Sequence, residues 1–138
     1  MKKGKAVYLG VDGQIQVVDV PNNATLDYFY KGIGCDFVEI VRPVRLANGY
    51  VLIIDEEGLM KRPATVNVVA SALYDTPNHG SPIVGNAYLV KEAITPDGAD
   101  LESLDATEAR EFRNTFKKNF VAWYKDVAIA LELAEIFK

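Results

Sequence analysis

Residues 105–138 read DATEAREFRNTFKKNFVAWYKDVAIALELAEIFK, a stretch that contains neither glycine nor proline. Asp105 and Glu108 have the spacing of a helix capping box, in which each side chain accepts a hydrogen bond from the backbone N–H of the other residue. Apolar residues recur every three or four positions, as they do along one face of a helix. The stretch therefore predicts one long amphipathic helix.

The predicted helix is long for a chain of 138 residues. It would extend about 45–50 Å at 1.5 Å per residue, whereas a compact domain of this length has a radius of gyration of about 14 Å. We therefore expect the helix either to bend or to pack on a second chain. Its apolar face, called here the aromatic seam, is predicted to form a homo-oligomer interface and comprises Phe112, Phe116, Phe120, Trp123, Val127 and Leu131.

Residues 1–93 are predicted to form an α+β core, with residues 94–104 as a linker to the helix because they include Pro96, Gly98 and several acids. Asp12-Gly13 is a hairpin signal between two alternating segments. The element order ββαββαβ predicts a mostly antiparallel sheet with two short helices on one face. The predicted strands are 5–11, 14–20, 35–44, 50–55 and 82–91, and the predicted short helices are 25–32 and 66–74.

Composition and charge restrict the protein class. Apolar residues make up 49% of the chain and charged residues 25%, which is the balance of an ordinary globular domain. A net charge of −4 makes nonspecific binding to nucleic acid unfavourable because the field repels phosphate. Cys35 is the single cysteine, and no window approaches eighteen apolar residues, so we expect a cytoplasmic protein without a membrane span.

Few residues could serve catalysis. Cys35 and His79 are single representatives of their types, which excludes an ordinary structural zinc site and limits hydrolase schemes. Asp55 and Glu57, with Glu56 between them, could bind a metal ion in a metal-dependent hydrolase. Neighbouring side chains of a strand point to opposite faces, however, so an exposed acidic turn is the favoured interpretation. No cofactor is predicted.

The basic residues could bind a small anionic ligand, such as a nucleotide, instead of having a purely structural role. Arginines beside aromatic rings can hold such a ligand through paired hydrogen bonds and stacking, and Gly85-Asn86 could bring an amide close to it. The competing interpretation is a solvated face paired with Glu108 and Glu111. The predicted ligand-binding residues are Arg42, Arg45, Arg62, Tyr74, Asn86, Tyr88, Arg110 and Arg113.

Three blocks stand out in the middle of the chain: GCDFVEIVRP (34–43), YVLIIDEEGLMKR (50–62) and NVVASALYDTPNHGSPIVGNAYLV (67–90). In this order they resemble the domain-of-unknown-function family 3846, and the likeness covers roughly residues 7–91. The resemblance implies an accessory protein of a phage, plasmid or other mobile element, in the cytoplasm of a host bacterium, and brings no established activity. The long helix is expected to lie outside the shared region.

These observations favour a non-enzymatic, oligomeric binding module of mobile-element origin. Two alternatives remain open. One is a sponge that captures a nucleotide signal of host immunity, and the other is the metal-dependent hydrolase.

Overall fold

A six-stranded sheet and three helices make up the described chain in a computed structural model, which describes residues 3–21, 26–34, 37–43, 45–46, 49–57, 65–75, 82–96 and 98–136. This confirms the predicted α+β class and adds one strand to the five expected. The elements in chain order are β1 (Lys3–Leu9), β2 (Ile15–Pro21), α1 (Leu26–Ile33), β3 (Val38–Val41), β4 (Tyr50–Asp55), α2 (Val68–Leu73), β5 (Ala87–Thr95), β6 (Gly98–Glu102) and α3 (Ala106–Ile136).

The sheet has the strand order β2-β1-β5-β4-β3, and β6 pairs with the second half of β5. Every pairing between these named strands is antiparallel. Lys91 of β5 is paired with Tyr50 of β4 and also with Glu102 of β6. Strand β6 therefore continues the sheet on the β1 side of β5, where backbone hydrogen bonds of 2.9 and 2.7 Å join Lys5 to Leu104.

Strands β1 and β2 form the hairpin predicted from Asp12-Gly13. Gly13 has a φ of +88°, a conformation that glycine adopts without steric cost. The backbone N–H of Gly10 donates to the carbonyl of Gln14 at 2.9 Å, and Leu9 pairs with Ile15. The turn thus sets the register that directs both of these apolar side chains into the same core cluster.

The helices cover both faces of the sheet. Helices α2 and α3 pack on the face that contains Leu52, whereas Phe29 of α1 packs on the other face with Val51 and Ile53. The prediction of helices on one face is wrong for a physical reason. Strand β4 is a nearly continuous apolar run, and such a strand is buried on both of its faces.

The segment predicted as a linker belongs to the sheet. Residues 94 and 95 end β5, and residues 98–102 form β6. Strand β5 also begins later than expected, at Ala87, because Gly85 has a φ of +88° and its N–H donates to Thr65 rather than to a neighbouring strand. Cross-strand pairing along β5 therefore stabilises a segment whose local composition indicated a loop.

Helix α3 begins with the predicted capping box. The N–H of Asp105 donates to Glu108 Oε1 at 2.9 Å, and the N–H of Glu108 donates to Asp105 Oδ1 at 2.8 Å. The helix contains 31 residues and is therefore about 46 Å long. It packs against α2 and also contacts both β1 and β2, and its side chains are buried at positions as far along as Val127.

The aromatic seam packs against its own chain. Phe116 is 1% exposed and Val127 is 2% exposed, while Phe112, Phe120 and Trp123 pack against the core cluster beneath α2 and α3. The side chain of Leu131 lies outside the described residues. The chain itself thus buries two members of the seam that was predicted to meet a second subunit, and it covers Phe112, Phe120 and Trp123 in part.

Candidate functional site

A cavity of about 310 Å³ lies beneath the first half of α3. The end of α2 and the start of β4 form its other sides, together with residues 45–46, which are held to α2 by a 3.4 Å hydrogen bond from the N–H of Arg45 to the carbonyl of Leu73. Its volume is at the lower end of the range for small-molecule sites. The lining residues are Arg45, Leu46, Tyr50, Leu73, Glu108, Glu111, Phe112, Thr115, Phe116 and Trp123.

Aromatic side chains dominate the walls of this cavity. The rings of Tyr50 and Phe112 meet edge to face, with centroids 4.9 Å apart. Phe116 lies 5.7 Å from Phe112 and 5.8 Å from Trp123, again measured between ring centroids. The helix period places Phe112, Phe116 and Trp123 on one face of α3, so three members of the aromatic seam also form a wall of the cavity.

Glu108 anchors the start of α3 to the sheet beside the cavity. Its Oε2 accepts a hydrogen bond from the Tyr50 hydroxyl at 2.9 Å, and its Oε1 lies 2.5 Å from the Lys91 ammonium. Oε1 also accepts the capping hydrogen bond from Asp105. Both carboxylate oxygens are therefore engaged, and the negative charge is matched by Lys91.

The pKa values of this cluster follow from its contacts. Burial acts to raise the pKa of Glu108, but hydrogen bonds from Lys91, the Asp105 backbone and Tyr50 outweigh it and hold that pKa below its usual value. The hydrogen bond to Glu108 raises the pKa of Lys91 and also that of Tyr50. The ionised pair of Glu108 and Lys91 is thus the stable form at neutral pH.

Two further charged side chains line the cavity. The guanidinium of Arg45 lies 3.7 Å from a carboxylate oxygen of Asp75. Glu111 is exposed on α3 and has no ion pair with another described residue. The cavity thus combines apolar walls with one guanidinium that has a partner and one carboxylate available to a ligand.

The arginines predicted to bind an anion do not converge on one site. Arg45 lines the cavity, whereas Arg42 lies elsewhere and donates to Glu92 at 2.7 Å. Arg110 and Arg113 lie on α3 without lining the cavity, and Arg113 Nε donates to the side chain of its neighbour in the chain at 3.3 Å. Arg62 lies outside the described residues.

The other predicted ligand residues have structural contacts. Asn86 accepts a hydrogen bond from the N–H of Val11 at 3.1 Å, which holds the hairpin turn. Tyr74 ends α2 and packs on the core face beneath α3. Tyr88 lies in the core on the opposite face, and its burial, followed by the proximity of Tyr28 and Tyr8, raises its pKa to about 12. These three side chains do not form one site.

The acidic run after β4 forms a turn. Asp55 is largely buried and its Oδ1 accepts the N–H of Glu57 at 2.9 Å, while Glu56 and Glu57 are exposed. In the part of the chain that the structure describes, no three histidine, cysteine or acidic side chains are grouped to hold a metal ion. Cys35 and His79 lie outside the described residues.

The sequence indicated only part of the cavity. Its pattern singled out Arg45 as a ligand residue and Phe112, Phe116 and Trp123 as an apolar face, but assigned the aromatic residues to a subunit interface. Tyr50, Leu46 and Leu73 were missed as lining residues. They come from β4, the segment before it and α2, so no local spacing relates them to α3.

The model of a family described as a domain of unknown function, DUF3846, matches residues 2–117. The chain belongs to the DUF3846 family. The match confirms the resemblance and extends beyond residues 7–91, so the expectation that the whole long helix lies outside the shared region is wrong. Every cavity-lining residue of this DUF3846 chain except Trp123 falls within the matched range.

The other comparisons add no relative. Neither a curated protein nor a solved structure matches the DUF3846 chain. No helix among the described residues has both the length and the apolar character needed to cross a membrane.

Proposed function

We propose that this DUF3846 chain is a non-enzymatic binding module whose ligand site is the cavity beneath α3. The observation that carries the proposal is the composition of the walls: aromatic and aliphatic side chains from three elements make up most of the surface of a half-open cavity. Ligand sites have this composition, with apolar walls for affinity and a few polar groups for orientation.

The polar groups of the cavity support binding rather than catalysis. A general base needs a lone pair directed at the proton that it removes. Both oxygens of Glu108 already accept hydrogen bonds, and its pKa is lowered rather than raised towards neutrality. Arg45 lies beside Asp75. Structural contacts thus hold both Glu108 and Arg45 in place.

The nucleotide-signal alternative has weaker support. Of the predicted anion-binding residues that the structure describes, Arg45 alone lines the cavity, and the same cavity carries the carboxylates of Glu108 and Glu111. A phosphate group would meet more negative charge than positive charge there.

Self-association remains part of the proposal, but through a different surface from the aromatic seam. On α3, Val121, Tyr124 and Ile129 are 65%, 54% and 56% exposed, and they offer apolar contact to a second copy. The resemblance to a family carried by mobile elements supports a role as a phage or plasmid accessory protein. That origin predicts phage or plasmid genes on either side of its own gene.

Binding at the cavity can be tested on the full chain. Small aromatic alcohols, amines and acids would be titrated while the emission of Trp123, the single tryptophan, and backbone amide NMR shifts are recorded. Amides of residues 45–46, 50, 73 and 108–123 are expected to shift with at least one probe.

A filled cavity provides the matched control. Thr115→Tyr places a ring at an exposed lining position and is expected to abolish binding, whereas Asn114→Tyr changes an exposed neighbour that does not line the cavity and should leave binding intact. Absence of any shift with every probe, or unchanged binding by the Thr115 variant, would contradict the proposal.

A further inference from the structure

We propose that the cavity selects a cationic ligand, an organic ammonium or guanidinium group carried on an apolar stem. This inference rests on the proposed function, because it assigns a ligand class to the same cavity. It is carried by the distribution of charge around the aromatic walls.

The first observation is the balance of charged pairs. Arg45 lies 3.7 Å from Asp75, and Lys91 lies 2.5 Å from Glu108, so each of these cations is matched by a carboxylate. Glu111 remains as a lining carboxylate with no matching cation among the described residues. The described lining of the cavity therefore carries a net negative charge, and an anion entering it would lose its hydration without gaining a matched charge there.

The start of α3 does not reverse this balance. A helix N-terminus ordinarily attracts anions because its first N–H groups lack partners. Here Asp105 Oδ1 accepts the N–H of Glu108, and the Asp105 carbonyl accepts the N–H of Ala109 at 3.1 Å. The two acids of the capping box thus place negative charge at the end of the helix that faces this region.

The aromatic walls of the cavity also favour a cation. A cation near the face of a tryptophan, tyrosine or phenylalanine ring is attracted by the negative charge of that face. Tyr50, Phe112 and Trp123 are partly exposed and line the cavity, and Glu111 lies on the same stretch of α3. An apolar stem can contact the rings while its charged end reaches the Glu111 carboxylate.

Three probes of similar size and different charge would test this assignment at pH 7: 2-phenylethylammonium, 2-phenylethanol and phenylacetate. Trp123 emission and amide NMR shifts would again report binding to the full chain. We expect the ammonium to bind about fivefold more tightly than the alcohol and at least about tenfold more tightly than the carboxylate, in line with cation–aromatic and ion-pair contributions at partly exposed sites.

Two isosteric variants separate the charge from the shape of the cavity. Glu111→Gln is expected to reduce the preference for the ammonium over the alcohol about threefold and to leave the alcohol affinity unchanged. Glu39→Gln, at an exposed carboxylate on β3 that does not line the cavity, should change neither affinity. Nα-acetyl-lysine amide and Nα-acetyl-arginine amide, which keep their charged side chains, would be titrated in the same way. If they bind more tightly than 2-phenylethylammonium, the natural ligand group is a protein side chain.

The outcomes distinguish the two proposals. If none of the probes binds, the cavity is not a ligand site and both proposals fail. If the alcohol or the carboxylate binds as tightly as the ammonium, or if Glu111→Gln leaves the preference unchanged, the binding module stands and the cationic ligand class is overturned.

Discussion

The hydroxyl of Tyr50 donates a hydrogen bond to Glu108 Oε2 at 2.9 Å, and these two residues are 58 positions apart in the chain. The bond joins the first residue of β4 to the first turn of α3. Because Lys91 of β5 contacts the other carboxylate oxygen, Glu108 holds the helix against two neighbouring strands. It also fixes one side of the cavity, so the stability of the fold and the shape of the candidate site depend on the same carboxylate.

Replacement of Glu108 by alanine should lower the free energy of unfolding by about 1–3 kcal/mol, since it removes hydrogen bonds to a charged group and half of the capping box. Urea denaturation followed by circular dichroism would measure the loss. Glu111→Ala is the matched control, because Glu111 is exposed on the same helix and its loss should change stability by less than about 0.5 kcal/mol. Equal effects of the two substitutions would contradict the anchoring role.

The same cluster predicts a pH dependence of stability. The pKa of Glu108 is lowered from 4.5 in the folded chain, so its contribution is fully present above pH 4.5 and is lost as the pH falls through the folded pKa. The pKa of Lys91 is raised from 10.5, so its contribution is present below pH 10.5 and is lost as the pH rises through the folded value. The hydrogen bond to Glu108 also raises the pKa of Tyr50 from 10.0. The difference in unfolding free energy between the wild type and Glu108→Gln should therefore be constant between pH 4.5 and pH 10.0 and shrink on both sides. A constant difference down to pH 2 would show that the charge of Glu108 is not involved.

Asn67 holds three parts of the chain together at a fully buried position. Its Nδ2 donates to the carbonyls of Leu9 and Gly85, each at 2.9 Å, and its Oδ1 accepts the N–H of Ala70 at 3.2 Å. Asn67→Ala should cost about 2–3 kcal/mol, because it leaves buried backbone groups without partners and removes the helix cap. Chemical denaturation of this variant beside Asn114→Ala, at an exposed position of α3, would test the cost, and equal stability of the two variants would contradict it.

Local sequence patterns predicted the capping box of α3 and the β1–β2 hairpin because all the groups involved lie within a few residues. They did not predict β6, since Pro96 and Gly98 indicate a linker while the strand is stabilised by its pairing with β5. They did not predict the role of Asn67 either, because two of its three partners are distant in the chain. The period of the aromatic seam shows that one helix face is buried, but a period carries no information about which surface buries it.

Gly32 lies in the last turn of α1, directly against Tyr88 of β5. A Cβ at this position would overlap the Tyr88 hydroxyl and lie 2.9 Å from its Cζ. Glycine to alanine in a helix usually stabilises by about 1 kcal/mol, but here Gly32→Ala should destabilise by about 1–3 kcal/mol because it overpacks the contact between helix and sheet. Thermal unfolding of Gly32→Ala in the wild-type and Tyr88→Phe backgrounds would check this, and the cost should be smaller once the hydroxyl is absent. Identical costs in both backgrounds would mean that the Tyr88 hydroxyl is not the source of the cost.

Packing of the aromatic seam within one chain and its packing between two chains predict different effects of protein concentration on the denaturation midpoint. Phe116 is 1% exposed against the core of its own chain and Val121 is 65% exposed on the same helix, so Phe116→Ala should cost about 3–5 kcal/mol and Val121→Ala less than about 0.5 kcal/mol. If the seam packs within the chain, it contributes no dependence of the wild-type denaturation midpoint on protein concentration over a hundredfold range. An interface between subunits would instead raise the midpoint with concentration, because association stabilises only the folded form. A concentration-dependent midpoint that Phe116→Ala abolishes would place the seam between chains and contradict its packing on α2 and the sheet.

A concentration dependence that survives Phe116→Ala and disappears with Tyr124→Glu would locate self-association on the outer face of α3. The Tyr124 side chain is 54% exposed, so a charge at this position penalises only an apolar contact with a second copy.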